Sequence, residues 1–420
     1  MSLYEKADGI LDTHVTWQDV EGGIQKSLGT KARIGEEKKI TNISDMKGFM
    51  SRIALVEVDW VGAEEGVELP KKFIVKISSQ IPLIALSKMM KFEGENGFSD
   101  EKMDKLARIT RECHNREVEA YKILMKFNHP DIPYTKVYAL KSFADEHDLK
   151  GFMVADFVPN VHTVGMHKSI PADDLVSLIK GIATFAALGT TLPEEEIKFV
   201  GGPDYLDLMF SDFFDQTTLE NSFKGLRGGF SEDYHDRVER VIEIFWQYRD
   251  LSKKYSKIPE LLGHKLVLNH GDLWQSNMLH SLDKDGKMKL EAMIDWQGLS
   301  RMPPGLDISR LFFGCLSSDD RHERGIELLK FYHDTFNSVL GKELFSFEEL
   351  LGSYNLFLPM AAMIILPGAL NFFDQAPIPE EEKPEARKTL MQNMKGMLED
   401  VLKSHEYNLK HFPEFMKYDL

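Results

Sequence analysis

An α+β chain of two unequal parts is the fold class the sequence predicts, and three observations carry it. Residues 49–60 alternate apolar and polar, and 73–77 form a β-branched run, so strands come early. From Pro171 onward apolar residues recur at helical spacing. One β-like island, residues 265–295, interrupts that helical half. The 420 residues leave room for two or three domains of about 150 residues each.

The elements follow in order. Residues 40–80 read as strands. Ala54, Val56, Val58 and Trp60 share one face, with Glu57 and Asp59 on the other. A turn rich in Gly and acids at 61–69 leads to Phe73-Ile74-Val75-Lys76-Ile77, so an antiparallel hairpin is expected. Residues 105–127 have a helical period, with Leu106, Ile109, Val118, Tyr121, Leu124 and Met125 as the expected buried stripe, ended by Asn128-His129-Pro130. Residues 137–140 and 151–158 read as a second strand pair. Helices are then expected at 172–188, 234–255, 321–340, 347–369 and 385–403, the last opened by Pro384.

Composition removes several functions. With 51 Lys+Arg against 67 Asp+Glu, the net charge is −16. That argues against nucleic acid as the main partner and against docking on an anionic membrane. Two cysteines, Cys113 and Cys315, are too few for a disulfide framework. The first twelve residues lack the apolar run of a signal peptide, so a cytoplasmic protein is expected. Residues 354–373 carry no charge over a length that could span a bilayer. Pro359, Pro367, Gly368, Asn355 and Asn371, and the lack of flanking Lys or Arg, favour a buried helix of a large domain instead.

The island carries the chemistry. Leu266-Val267-Leu268 runs into Asn269-His270-Gly271-Asp272-Leu273-Trp274-Gln275-Ser276-Asn277. Two extended runs then flank an Asp285-Gly286 turn, and the second delivers Asp295. One short hairpin thus puts Asp272, Asn277 and Asp295 at the same end. Oxygen-bearing side chains grouped there suit Mg²⁺ and a nucleotide phosphate. Phosphoryl transfer asks for little more than a carboxylate to orient a hydroxyl and ligands for the metal. Singly, each of the three residues reads as a loop cap or turn residue; the ordered set is the specific signal.

His270-Gly-Asp272-Leu-Trp-Gln-Ser-Asn277, followed by Ile294-Asp295-Trp296-Gln297, resembles the choline/aminoglycoside phosphotransferase superfamily. Within it the sequence is most similar to the ecdysteroid-kinase-like (CHK kinase-like) family, in its nematode form. The resemblance extends over nearly the whole chain. It implies a two-lobed protein-kinase-like fold: a small antiparallel-sheet N-lobe at 1–155 that binds nucleotide, and a larger, mainly helical C-lobe at 156–420 with the catalytic loop and acceptor site.

The resemblance also implies roles. Lys76, inside an apolar strand, steadies the α- and β-phosphates of ATP and needs a partner. Glu117, in Arg116-Glu117-Val-Glu119-Ala-Tyr121, is that partner, ahead of Glu112 and Glu119, because Tyr121 lies one turn on along the same face. No G-x-G-x-x-G follows the first strand, and no P-loop motif is present. Gly48 and Ser51 occupy the family's phosphate-loop position. Asp156 and Val158 fall at the hinge that reads adenine. Asp272 is the base, Asn277 and Asp295 hold Mg²⁺, and His270 and Asp307 are structural, Asp307 as a helix cap that also ties down the loop. Trp274 and Trp296 are candidates for the acceptor pocket.

The expected reaction is ATP-dependent phosphorylation of a small-molecule alcohol. Two acceptor classes stand open. The acidic surplus suits a cation such as choline or an aminoglycoside, while the wall with Phe357, Met360, Met363 and Phe372 suits a sterol-like or other apolar alcohol. The family match favours the second. The alternative from another class is a catalytically silent, pseudokinase-like binding protein, which need not keep Lys76, Glu117, Asp272, Asn277 and Asp295 together.

Overall fold

The computed structural model describes residues 2–44, 49–162, 164–165, 167–202 and 209–417. The chain separates into two compact units. One comprises Met1–Lys126 with Tyr134–Asn160; the other comprises Phe127–Pro133 with Val161–Leu420. The observed class is α+β, with an antiparallel sheet in the first unit and a mainly helical second unit.

The first unit is built on five strands: β1 (Arg33–Asn42), β2 (Ser51–Val61), β3 (Lys72–Ser78), β4 (Val137–Lys141) and β5 (Phe152–Asp156), in the order β1-β2-β3-β5-β4. The β2–β3 hairpin pairs Ala54 with Val75 and Ile53 with Lys76. Ala54, Val56 and Val58 are buried as their alternation requires. Trp60, at the strand end, is half-buried and donates its ring N–H to Pro70 O at 2.8 Å. The same core takes up α1 (Trp17–Leu28) through Val20 and Ile24. Thr16 and Asp19 close a capping box at its start, and Gly29 ends it with φ +67°.

Two further helices complete this unit, α2 (Ile81–Met90) and α3 (Asp100–Phe127). Leu106, Ile109, Val118, Tyr121 and Leu124 of α3 are buried. Met125 is not: it is 42% exposed, because the residue after Leu124 lies about 100° round the helix.

In the second unit the island folds as two small antiparallel pairs. Strand β6 (Val267–Asn269) pairs with β9 (Ser300–Met302), and β7 (Met278–Leu282) pairs with β8 (Met288–Met293). The longer helices around them are α4 (Ala172–Gly189), α5 (Gln216–Gly229), α6 (His235–Leu251), α7 (Gly305–Cys315), α8 (Ser318–Leu340), α9 (Phe347–Ile365) and α10 (Lys383–His411). The charge-free segment lies in α9 and the turns after it. It belongs to the one stretch of described residues long and apolar enough to cross a membrane, Phe347–Gln375, yet 78% of that apolar window is buried inside the protein. Every residue from Leu356 to Met363 is buried, packed as a core helix against Phe245, Tyr255 and Leu398.

Pro359 sits inside α9 and has no N–H for the carbonyl of Asn355, four residues back. That carbonyl is supplied from outside the helix. Asn408 of α10 donates its side-chain amide to Asn355 O at 2.7 Å and to the Tyr248 hydroxyl at 2.7 Å. The next carbonyl, Leu356 O, accepts from the Tyr255 hydroxyl at 2.8 Å. An apolar helix with a proline in its middle is therefore kept regular by polar groups of two neighbours. Removing Asn408 strands a buried carbonyl, so Asn408→Ala lowers the unfolding free energy by about 1–3 kcal/mol. In a Pro359→Ala background, which restores the helical N–H, the same change costs less; equal costs in denaturant melts of both backgrounds contradict this account.

Candidate active site

In the first unit the relevant group is Lys76 on β3. Phe73, Val75 and Ile77 point into the core, so the period of two turns Lys76 to the opposite face. Its Nζ lies 2.8 and 2.7 Å from the two carboxylate oxygens of Glu117 on α3. The Glu117 side chain is 2% exposed and that of Lys76 16%. At that depth an ammonium and a carboxylate are tolerated because they meet. The rivals are spent elsewhere: Glu112 pairs with Arg108 and Glu119 with Lys122. His114, one turn earlier on α3, is held neutral; burial pushes it down to about 4, and its Nε2 meets Lys141 O at 2.8 Å.

Ser51 is the first residue of β2, buried and paired in register with Ser78. Gly48 lies outside the described residues. At the expected hinge, the Asp156 amide donates to Lys136 O at 2.8 Å, so it is not available to read a base edge. The backbone of Val158, just past β5, makes no hydrogen bond to described residues.

In the second unit the loop after β6 is fastened from three sides. Asp307, on α7, accepts the backbone N–H of His270 at 2.6 Å and of Gly271 at 2.7 Å. Both its carboxylate oxygens thus serve the loop, and neither caps the amides of its own helix. Its burial pushes its pKa up to about 7, against the pull of the two N–H donors. His270 is fully buried. It faces Ile294 O through Nε2 at 2.9 Å and receives the Asp272 amide on Nδ1 at 3.3 Å. A carbonyl can only accept, so the ring carries its proton on Nε2. With both nitrogens committed and its pKa lowered by burial, it is a scaffold residue. Gly271 has φ +83°, and a Cβ there would stand 1.9 Å from Gly298 O; no other residue fits between His270 and Asp272.

This fastening presents Asp272. Its Oδ1 accepts from the Arg310 guanidinium, and its Oδ2 faces the Asn277 Nδ2 at 3.2 Å. Asn277 Nδ2 also donates to Asp272 O at 2.8 Å. The Asn277 Oδ1 accepts no hydrogen bond among the described residues, which leaves an oxygen for a cation. The ladder pairs Met278 with Met293, and the Ile294 amide donates to Asn277 O at 3.0 Å, so Asp295 follows directly beside Asn277. Asp295 adopts φ +64°. Among the described residues no group of three or more His, Cys, Asp or Glu is arranged to hold a metal alone. One carboxylate and one amide oxygen instead fit Mg²⁺ that shares its ligands with phosphate and water.

Beside the loop is a pocket of about 60 Å³ floored by Gly271 and Gly298 and walled by Phe357, Met360 and Ile364. Among the described residues Arg310 is the one charged residue lining it. Neither tryptophan lines it. Trp296 is fully buried, its ring 4.5 Å from His270 and 4.7 Å from Phe185, with its N–H on Met293 O, so it offers no face to a ligand. That corrects its place among the acceptor residues. Of the expected wall, Phe357 and Met360 reach the pocket, and Met363 and Phe372 do not. Arg310 is the residue sequence reasoning passed over. It closes the stretch Gly305-Leu306-Asp307-Ile308-Ser309-Arg310, which resembles the family's motif, and stands three residues after Asp307, hence on the same helix face; sequence reasoning assigned it no role of its own.

A family profile described as "DUF1679: Uncharacterized oxidoreductase dhs-27" matches residues 3–409. The "Uncharacterized kinase-like protein D1044.1" of Caenorhabditis elegans is 24% identical over 256 residues, 61% of this chain. The match spans 64% of that relative's length. Among solved structures, Plasmodium vivax ethanolamine kinase is similar at 14% identity and TM-score 0.41, covering 86% of this chain and 82% of that one. A spectinomycin phosphotransferase in complex with ADP and its antibiotic is similar at 13% identity and TM-score 0.42, covering 94% and 100%.

The raised pKa of Asp307 has a signed consequence. Below about 7 the folded protein takes up a proton that the unfolded chain takes only near the ordinary carboxylate value. This group's contribution to stability is therefore present at low pH and lost as pH rises through 7. Loop order runs the other way, since a protonated acid accepts one amide well rather than two. From pH 8 to 6, hydrogen-exchange protection of the His270 and Gly271 amides falls, and Asp307→Asn removes the trend. Flat protection in the wild type over that interval contradicts it.

Proposed function

The chain belongs to the DUF1679 family, and we propose that within it the protein is a cytoplasmic, ATP-dependent small-molecule kinase that phosphorylates an alcohol, similar to the ecdysteroid-kinase-like (CHK kinase-like) group. The observation that carries this is the arrangement around Asp272. A half-buried carboxylate is held by Arg310 and Asn277, and the β7–β8 ladder brings the backbone of Asp295 next to that of Asn277.

In this reading the substrate hydroxyl donates its proton to Asp272 as its oxygen bonds to the γ-phosphorus of ATP. The bond from that phosphorus to the β–γ bridging oxygen breaks, and its electron pair leaves with ADP. Asn277 and Asp295 hold Mg²⁺, which when bound neutralises charge on the phosphates. Lys76, kept in place by Glu117, steadies the α- and β-phosphates. An apolar alcohol is favoured over choline or an aminoglycoside. The described walls of the pocket are mainly apolar, with Phe357, Met360 and Ile364, which supports an apolar body over a cation. About 60 Å³ accepts the hydroxyl-bearing end of such a molecule, with the remainder outside.

The word oxidoreductase in the family's description suggests a rival. A dinucleotide-binding βαβ unit needs parallel strands. Every strand pair in the three sheets described here is antiparallel, which supports phosphoryl over hydride transfer.

Mg²⁺-dependent ATP turnover with a panel of alcohols is the test. Asp272→Asn lowers alcohol-dependent kcat by about 10²–10⁴-fold. Equal rates for wild type and variant with every alcohol remove Asp272 as the base.

A further inference from the structure

We propose that the acceptor carries a second oxygen, one or two carbons from the reacting hydroxyl, and that Arg310 is the specificity-determining residue that reads it. This rests on the kinase reading for the role of Asp272, and on the pocket itself for the rest.

The observation is an unspent guanidinium. Arginine offers five N–H donors. Among the described residues Arg310 makes one hydrogen bond, to Asp272 Oδ1, although its side chain is only 13% exposed. Its Nε is buried with no partner. A buried donor without an acceptor is costly, and most buried polar groups are paired. The described residues offer it no further acceptor. The other Asp272 oxygen faces Asn277, and the remaining walls of the pocket are glycine, serine, aliphatic and aromatic. An oxygen brought by the ligand fills that place.

Geometry limits where that acceptor sits. Asp272 and Arg310 are in direct contact, so a hydroxyl delivered to the carboxylate lies next to the guanidinium. An oxygen on the adjacent carbon, or one carbon further, comes against Arg310 where it lines the pocket, while the carbon skeleton meets Phe357, Met360 and Ile364. A 1,2- or 1,3-diol, or a hydroxy ketone, meets both needs; a lone alcohol meets one. Discrimination of this kind is large, because a ligand lacking the oxygen leaves the donors unpaired.

The test compares 1-hexanol with 1,2-hexanediol. With Mg²⁺ and ATP, wild type shows at least about tenfold higher kcat/KM for the diol, a difference of about 1.4 kcal/mol. Arg310→Met brings the ratio to about one, through KM for the diol, with KM for ATP unchanged. The ratio is internal to each variant, so a general loss of rate does not blur it. Equal kcat/KM for the two alcohols in wild type overturns the proposal. So does an Arg310→Met variant that keeps the ratio and raises KM for ATP, since the guanidinium then serves the transferred phosphate. Calorimetric titration of both alcohols into the full chain without nucleotide decides the matter separately. If no alcohol is phosphorylated, the kinase reading fails; tighter diol binding that Arg310→Met abolishes still upholds the Arg310 site, and equal binding overturns it.

Discussion

Two backbone N–H groups ending on one buried carboxylate organise this protein's chemistry. Asp307 receives the amides of His270 and Gly271 on its two oxygens and so anchors the loop that carries Asp272. Burial raises the cost of that charge, and two short hydrogen bonds offset it. The rest follows from a loop fixed at that point. Gly271 takes a conformation and a contact distance open only to glycine, His270 locks its tautomer against Ile294, and Asp272 emerges beside Arg310 and Asn277.

Charge is placed locally against the global balance. The chain carries −16, yet two partly buried cations are each held by one carboxylate: Lys76 by Glu117 and Arg310 by Asp272. The pairs differ in what they leave over. Lys76 meets both oxygens of its partner, an arrangement that fixes an ammonium in place. Arg310 spends one donor and keeps the others, an arrangement that invites a ligand oxygen. The acidic surplus lies mostly on exposed faces and bears on solubility.

Much of this was legible in the residues. The β2–β3 hairpin and the pairing of β7 with β8 follow from alternation and an Asp-Gly turn, signals that are local and strong. Lys76 betrayed itself as a charge in an apolar strand. What escaped reading had weaker or non-local causes. Strand β1 carries Gly35-Glu36-Glu37-Lys38-Lys39 on a largely exposed edge with a register shift, so its apolar alternation is broken. Helix α1 is announced only by its caps. The tryptophans beside the motif looked like ligand walls; Trp296 is core because β8 and the short turn after it drive it against His270 and Phe185. Arg310 needed the fold, because only the docking of α7 under the loop brings it to Asp272. The supply of donors to Asn355 by Asn408 likewise joins residues 53 apart in sequence.

The central claim is that Asp272, held by this loop, hands the oxygen of a small alcohol to a phosphoryl group. Its most direct test incubates the full chain with Mg²⁺, ATP and a set of apolar mono-ols and diols, and reads each acceptor by mass for the gain of one phosphate. The account predicts a phosphorylated acceptor formed one-for-one with ADP and dependent on Mg²⁺. ADP released with no acceptor modified, or no turnover with any alcohol, contradicts it.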